Sequence, residues 1–440
     1  MKLLVSLLSP FRQTIPRRTT GAKVHEVHRI LTAAQAASVF TTDGTASNAI
    51  AITKDSVTIT SKEYGALGSY TWASQFTGAL TNEDVKQRIR TLNLLIALQK
   101  EEGAIFGGNV TALGTPTGLT TTPATTGAAA VGGVGIAAAT YQVRVAALTH
   151  EGMVTASRVA RTDRTAAQNF DASLVVPTVS ATVGITAAQA NVAAVVGGTG
   201  DGIIGLVWAA IAGAMGYAVY VDNKLQCVLP AQTKVTLVGI NTTGAAVPSA
   251  DSSANANAFN GILPQIVAAA SGFAKKRVNT NLGTPVGNQL TPIADAIQDC
   301  YDRFRGPLKF RLVTNWDIHD QIDRKLSAVA NDRIHINYNA GPGGVQFQQI
   351  QYYPSPVDGT QIPIETNPNL PGGMILGVLD SIDVPDANIP AAWEMLMGSD
   401  FVQLDYAMTA PSESFEQRAF GALAGYAPSF QFVLYDIHRA

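Results

Sequence analysis

The sequence is short of charge. Of its 440 residues, 30 are Lys or Arg and 32 are Asp or Glu, 14% in all, where a soluble globular chain usually carries about a quarter. The formal net charge is -2, so no global field drives binding to nucleic acid or to an anionic membrane. Two explanations fit such an uncharged surface: a coat of Thr, Ser and Asn, or a surface that faces other subunits. Cysteine is scarce too. Cys227 and Cys300 are the only two, far apart and each beside apolar residues. They exclude a disulfide framework and a metal-ligand spacing. They read as buried free thiols, which suits assembly in a reducing cytoplasm. No run reaches the ~20 apolar residues of a membrane span. The apolar run at residues 3–8 is followed by Arg12, Arg17 and Arg18, not by a small-residue cleavage site. It therefore reads as a mobile basic arm rather than a signal peptide.

Catalytic groupings are missing as well. His25-x-x-His28 has helical metal-ligand spacing but no third or fourth ligand nearby. His319, Asp320 and Asp323 read as a solvated helix face. Gly341-Pro342-Gly343-Gly344 lacks the Lys-Ser/Thr of a phosphate loop and reads as a turn. The run of residues 197–202, rich in glycine and holding Asp201, reads as a loop that could at most hold a cation. Lys275-Lys276-Arg277 is a compact basic run that suits a solvated loop, an intersubunit salt link or DNA contact. No Ser-His-Asp or Cys-His grouping stands out. The sequence therefore predicts no catalytic, cofactor-binding or metal residues, and a protein that is not an enzyme.

What is present is a definite order of parts. Residues 1–40 form a basic arm, with Lys2, Arg12, Arg17, Arg18, Lys23 and Arg29 against Glu26 alone. Such an arm can touch nucleic acid or an acidic neighbour. Residues 48–76 look extended. Ser56-Val57-Thr58-Ile59-Thr60 alternates, a turn is expected between Glu63 and Gly68, and Tyr70 and Trp72 alternate again before Phe76. An isolated two-stranded arm is marginal in water, so it must lie on its own domain or on a neighbour. A long helix is predicted from about Asn82 to Glu102, capped by Thr81 with Asp84 as return partner. Val85, Ile89, Leu92 and Ile96 form its apolar stripe and Gly103 its stop. At this length it spans ~30 Å.

From residue 120 the chain turns Ala/Gly/Thr-rich. Tyr141-x-Val143-x-Val145-x-Ala147 reads as a strand, with a turn at His150-Glu151-Gly152. Residues 205–208 and 216–220 read as a strand pair joined by Ala212-Gly213-Ala214, and residues 234–238 as a further strand. Short strands, small-residue turns and the buried-type Trp208 suit a β-sandwich. This stretch resembles fibronectin type III and immunoglobulin-like modules, with the Tyr-x-Val-x-Val strand placed before the Trp strand instead of after it. Beyond a Ser/Ala/Asn-rich linker, Thr291-Pro292 opens a helix through Ile293, Ile297, Tyr301 and Phe304, which Gly306-Pro307 ends. Phe310-x-Leu312 is a strand. Asn315 caps a helix with Ile318, Ile322, Leu326 and Val329 buried. Strands are expected at 345–353, 361–365 and 374–379. The stretch 400–437 is β-rich, clearest at Phe430-x-Phe432-x-Leu434.

This order resembles the tailed-bacteriophage major capsid proteins of the HK97-like fold. The matching text is residues 81–108 for the spine helix, Gly114-Thr115-Pro116-Thr117-Gly118-Leu119 for its exit, residues 291–326 for helix–strand–helix, and residues 362–376 for a late strand pair. The resemblance implies an α+β chain in six parts: an N-terminal arm (1–40), an extended β-loop (41–80) over a neighbouring subunit, and a spine helix with part of the peripheral domain (81–119). An inserted all-β, Ig-like sandwich (120–256) displayed outside, an axial α/β domain (257–399) and closing strands of the peripheral domain (400–440) follow. It implies a homo-oligomer of pentamers and hexamers forming an icosahedral virion shell around double-stranded DNA. The shell would assemble in the host cytoplasm, with portal and scaffolding or decoration proteins as partners and no membrane. An encapsulin-type compartment shell shares the fold and is the alternative. A secreted Ig-like adhesin would fit the sandwich alone.

Overall fold

The computed structural model describes residues 10–30, 54–80, 84–126, 135–156, 169–171, 177–197, 200, 202–269, 275–287, 289–304, 308–327, 339–341, 344–346, 350–381, 391–406 and 411–438. The chain is α+β, as its alternating strand and helix periodicities require.

One layer is a four-stranded sheet in the order β1 (Arg17–Thr19), β20 (Trp393–Asp405), β21 (Ser412–Gly425), β4 (Lys62–Thr71). Helix α2 (Val85–Gly107) lies across its inner face. The inner side of β4 carries Tyr64, Ala66 and Tyr70, and Asn93 of α2 donates to Ala66 O at 2.7 Å. The helix differs from the expected one at both ends. Asp84 is its N-cap, accepting from Gln87 N at 3.0 Å; Thr81 lies outside the described residues. Gly103 does not stop the helix. A Cβ there would sit 2.1 Å from His150 Cε1, so glycine is used for close packing in mid-helix. The buried face is Asn93, Leu95, Ala97, Leu98, Glu101, Glu102, Ile105 and Phe106, whereas Leu92 and Ile96 of the expected stripe are exposed.

The expected two-stranded arm is also re-partnered. Strand β3 (Lys54–Thr60) pairs antiparallel with β2 (Val24–Ile30), from Val24↔Thr60 to Ile30↔Lys54. Strand β4 runs straight through the expected turn and pairs with β21, from Ser412↔Thr71 to Gly421↔Lys62. Alternation simply continues across Gly65 and Gly68, which admit a neighbouring strand and ring: a Cβ at Gly68 would lie 2.8 Å from Phe415 Cζ. Residues 54–71 thus rest on their own chain, and residues 31–53 lie outside the described set. Trp72 and Phe76 are four apart on a helix, α1 (Trp72–Leu80), not on a strand.

Two four-stranded sheets come next. One has the order β11 (Lys224–Pro230), β10 (Gly216–Val221), β6 (Ala139–Leu148), β8 (Val192–Val196). The other has β5 (Thr120–Ala124), β9 (Ile203–Val207), β12 (Lys234–Gly239), β7 (Asn169–Asp171). They enclose their own cluster of Val143, Val145, Trp208, Tyr217, Val219 and Leu237. Trp208 is 1% exposed, edge-on to Tyr217 at 5.4 Å. Strands β9 and β10, expected as a pair, sit in opposite sheets, with Gly213 at φ +96 in the corner between them. The hairpin is β10–β11, turned by Asp222 (φ 47) and Asn223 (φ 63), residue types that tolerate the left-handed region. His150-Glu151-Gly152 opens a short helix, α3 (His150–Thr155), instead of a turn.

The first of these sheets is buried on both sides along β10, β11 and the second half of β6, while its β8 edge exposes Ala193 and Val195. Ala146, Leu148, Ala218, Tyr220, Leu225 and Val228 leave the sandwich core and join the main core with Phe106, Phe259, Ile262 and Met374. The chain segments entering and leaving this region run side by side: Asn255 N donates to Asn109 O at 3.0 Å and Gly261 N to Gly108 O at 2.8 Å.

The third layer is a six-stranded mixed sheet, β13 (Lys275–Arg277), β22 (Phe432–Tyr435), β19 (Ile375–Ser381), β14 (Lys309–Thr314), β18 (Gln361–Thr366), β17 (Tyr352–Pro354). Helices α4 (Ile262–Ala268), α5 (Thr291–Phe304) and α6 (Trp316–Ser327) belong to this part. Ile293, Ile297, Ile318, Ile322 and Leu326 are buried where their spacing placed them. A small ladder, β15 (Asn339–Gly341) and β16 (Gly344–Gln346), completes the described strands. Two boundaries move. Strand β20 runs through residues 399 and 400, and β22 closes the six-stranded sheet, not the layer under α2.

Candidate functional site

The arginines expected to make a mobile arm are instead fastened to α2. Adjacent carboxylates on one turn of that helix, Glu101 and Glu102, are fully buried. Glu101 Oε2 takes Arg12 Nε in a short contact and Arg17 Nη2 at 2.9 Å, and its Oε1 accepts from Tyr64 OH at 2.6 Å. Asp400 meets the same two guanidiniums at 3.1 and 3.2 Å. Glu102 accepts from Arg12 N at 3.0 Å, Asn367 Nδ2 at 2.5 Å and Asn369 Nδ2 at 3.3 Å. Burial raises the carboxyl of Glu102 above its ordinary range, against those hydrogen bonds. Burial and then Glu101 push the Tyr64 hydroxyl well up. Phe11 meets Phe106 at 4.6 Å, Met395 N donates to Pro16 O at 2.9 Å and Thr20 N to Met397 O at 2.8 Å. Arg18 pairs with Glu394 at 3.3 Å and Arg29 with Asp55. Residues 10–20 are thus a strap across the long helix, because the buried charge of Glu101 requires cations and the Arg12 and Arg17 guanidiniums supply them.

A second buried knot joins the sandwich to the body. Asp436, at φ 60 and 1% exposed, accepts from Thr233 N at 3.0 Å, Thr233 Oγ1 at 2.8 Å and Arg277 Nε at 2.7 Å. His438 Nε2 is 3.0 Å from the same carboxylate. Burial pushes the Asp436 carboxyl up, but His438, Arg277 and Thr233 outweigh it and hold it below the usual range.

The other sequence candidates disperse. His25 and His28 lie on strand β2, where residues three apart point to opposite faces. His25 meets Thr20 and Ser61 hydroxyls. Among the described residues no group of three His, Cys, Asp or Glu could hold a metal. His319 is buried, not solvated: its Nε2 is 2.8 Å from Ile350 O, while Asp323 accepts from Ile350 N at 3.2 Å. Asp320 pairs with Arg324 one turn on. The basic run is tied internally: Lys275 to Val267 O, Lys276 to Asp295 and Arg277 to Asp436. Residues 198, 199 and 201 of the Gly-rich loop, and Pro342 and Gly343, lie outside the described residues. Cys227 and Cys300 are buried thiols; burial raises both, Cys300 to about 12. No described helix is long and apolar enough to cross a membrane.

The remaining surface feature is apolar. Helix α1 exposes Trp72 (65%), Phe76 (57%) and Leu80 (75%), and α2 exposes Leu92 and Ile96 at 47% and 46%. These residues recur every four along their helices, so each set is one continuous face. Beyond the ends of α1, no charged residue occurs from Tyr64 to Asn82. Sequence periodicity flagged the α2 residues as an apolar stripe, and a periodic stripe does not say what covers it.

No family model and no curated protein matches the sequence. Among solved structures the chain is similar to the capsid of the Myoviridae phage XM1, at 9% identity and a TM-score of 0.41, over 98% of this chain and 92% of that one. It is similar to the capsid of a native GTA particle at 9% identity and a TM-score of 0.43, over 98% and 90%. It is also similar to a virus-like particle from Pyrococcus furiosus at 8% identity and a TM-score of 0.38, over 98% and 95%. Likenesses at identities and scores this low carry no weight for function, which rests on this chain's own residues.

Proposed function

We propose that this chain is a shell-forming subunit, a phage major capsid protein of the HK97-like kind, that works mechanically rather than chemically. The observation that carries the reading is the pair of uncovered apolar helix faces, Trp72, Phe76 and Leu80 on α1 with Leu92 and Ile96 on α2. A solitary soluble chain seldom leaves a large apolar patch in water without a partner for it. The order of parts supports the same reading: a basic N-terminal segment, a two-stranded hairpin, a long helix across a four-stranded sheet, and a separate α/β layer. Residues 120–256 suit an insertion of immunoglobulin-like type, because the chain segments that enter and leave them are hydrogen-bonded neighbours. The sheet β5-β9-β12-β7 is the one that can face outward, since β6, β10 and β11 of the other sheet join the main core.

In this reading the shell encloses double-stranded DNA held by weak, sequence-independent contact, in a virion assembled in the host cytoplasm. Portal and scaffolding or decoration proteins are partners of the assembly, and no residue is catalytic. Negative-stain microscopy and sedimentation of the purified chain test it. Closed particles of uniform size are expected, and particles from producing cells should hold nuclease-protected DNA. Protein cargo without DNA would favour the compartment shell, and a monomer at every concentration would overturn self-assembly.

A further inference from the structure

Helix α1 sits at the free end of the layer formed by β20, β21 and β4. Its first residue is held there, Trp72 N donating to Pro411 O at 3.1 Å beside the Ser412↔Thr71 pair. The start of α2 is fixed at the same end by Lys86 and Glu413 at 2.7 Å. The main core is reached at the other end of α2, at Ile105 and Phe106. A helix of 23 residues spans about 35 Å, so among the described residues the start of α1 is anchored at the end of the layer remote from that core. The rings of Trp72 and Phe76 stack at 5.8 Å and 20° and remain exposed.

We propose that this face of α1 is a self-contact, in which the Trp72–Phe76–Leu80 stripes of neighbouring copies pack against one another. The inference rests on the shell reading and names one of its seams. The stripe carries no charge, so its partner must be apolar and uncharged, and every copy supplies such a surface in the same geometry. Like-against-like packing is what a two-fold axis between neighbouring copies imposes on a shared patch. The area decides how the contact is used. At ~150–250 Å² for a fully buried aromatic, the three exposed side chains offer on the order of 400 Å² per copy. Two such faces bury roughly 800 Å², below the ~1,200 Å² of a specific free-standing complex. The contact therefore closes between copies already held together elsewhere, and not between free subunits.

The test uses the full-length purified chain. Leu80→Cys places a thiol on the stripe, and the native thiols are buried, so the parent chain gives the background. Mild oxidation should link Leu80→Cys copies into disulfide dimers within assembled particles but not in dissociated subunits. Phe76→Glu, on an exposed site, should keep the parent's circular dichroism. It should raise the concentration for half-assembly about tenfold or more, the effect of losing one buried aromatic side chain. Particles that form normally from Phe76→Glu, with no cross-linking of Leu80→Cys particles, would overturn the seam and leave the shell reading standing. A parent chain that forms no particles would instead remove the shell reading and this inference with it.

Discussion

The strap across α2 gives the sharpest energetic prediction. Glu101 and Asp400 meet the same two arginines, but Glu101 is fully buried and Asp400 is 58% exposed. Arg12 and Arg17 are themselves only 14% and 20% exposed. Replacing one partner of a buried pair strands the other and costs ~3–5 kcal/mol. In Glu101→Gln the side chain keeps its shape and an acceptor for Tyr64, which puts the expected cost near the lower end, about 3 kcal/mol. That corresponds to about a hundredfold more of the detached strap. In Asp400→Asn solvent already screens the charge, and the cost should stay within about 1 kcal/mol. Trypsin reads the difference, since Arg17, Arg18 and Lys23 become cleavable when residues 10–20 lift off. Amide exchange at Thr20 and Met395, whose N–H groups donate across the strap, reads it independently. Cleavage should accelerate strongly for Glu101→Gln and little for Asp400→Asn. Equal effects of the two would show that burial does not set the value of these pairs.

Three other expectations come from the packing. Gly103→Ala should destabilise, although alanine in a helix interior ordinarily gains about 0.5–1 kcal/mol over glycine. Its Cβ would overlap the His150 ring, at an overpacking cost of ~1–3 kcal/mol; a higher melting temperature would contradict this. Asp436 should make the join between sandwich and body acid-sensitive. Its folded-state pKa is depressed, so its contribution is present above the ordinary carboxylate range and is lost as pH falls through the folded value. Exchange of the Thr233 amide should rise over that acid window, and Asp436→Asn, which tolerates the left-handed backbone, should abolish the dependence. Deleting residues 120–256 should give insoluble protein, because Phe106, Ile262 and Met374 lose the sheet they share a core with; soluble particles would show that the insertion is dispensable.

Some elements were legible in the sequence because their causes are local. Thr291-Pro292 starts a helix by its own chemistry, and Ile318, Ile322 and Leu326 bury one side of α6 because they share one side. The alternation at Tyr141-x-Val143-x-Val145 likewise made a strand. What failed depended on partners distant in sequence. Gly103 resembles a helix stop until His150, 47 positions later, fills the space beside it. Gly65 and Gly68 resemble a turn until β21 pairs along them. Trp72 and Phe76 fit either alternation or a helical repeat over so short a stretch, and only the fold chose.

The candidate surface divides the same way. Composition and periodicity by themselves determined that the chain has little charge, no legible catalytic grouping, and a long helix with an apolar stripe. Only the tertiary structure decided that Leu92 and Ile96 of this stripe face solvent, while Glu101 faces inward onto the Arg12 side chain and Glu102 onto the Arg12 backbone N–H, some 90 residues earlier. Periodicity is a property of one helix; which of its faces is covered depends on the free energy of everything packed around it.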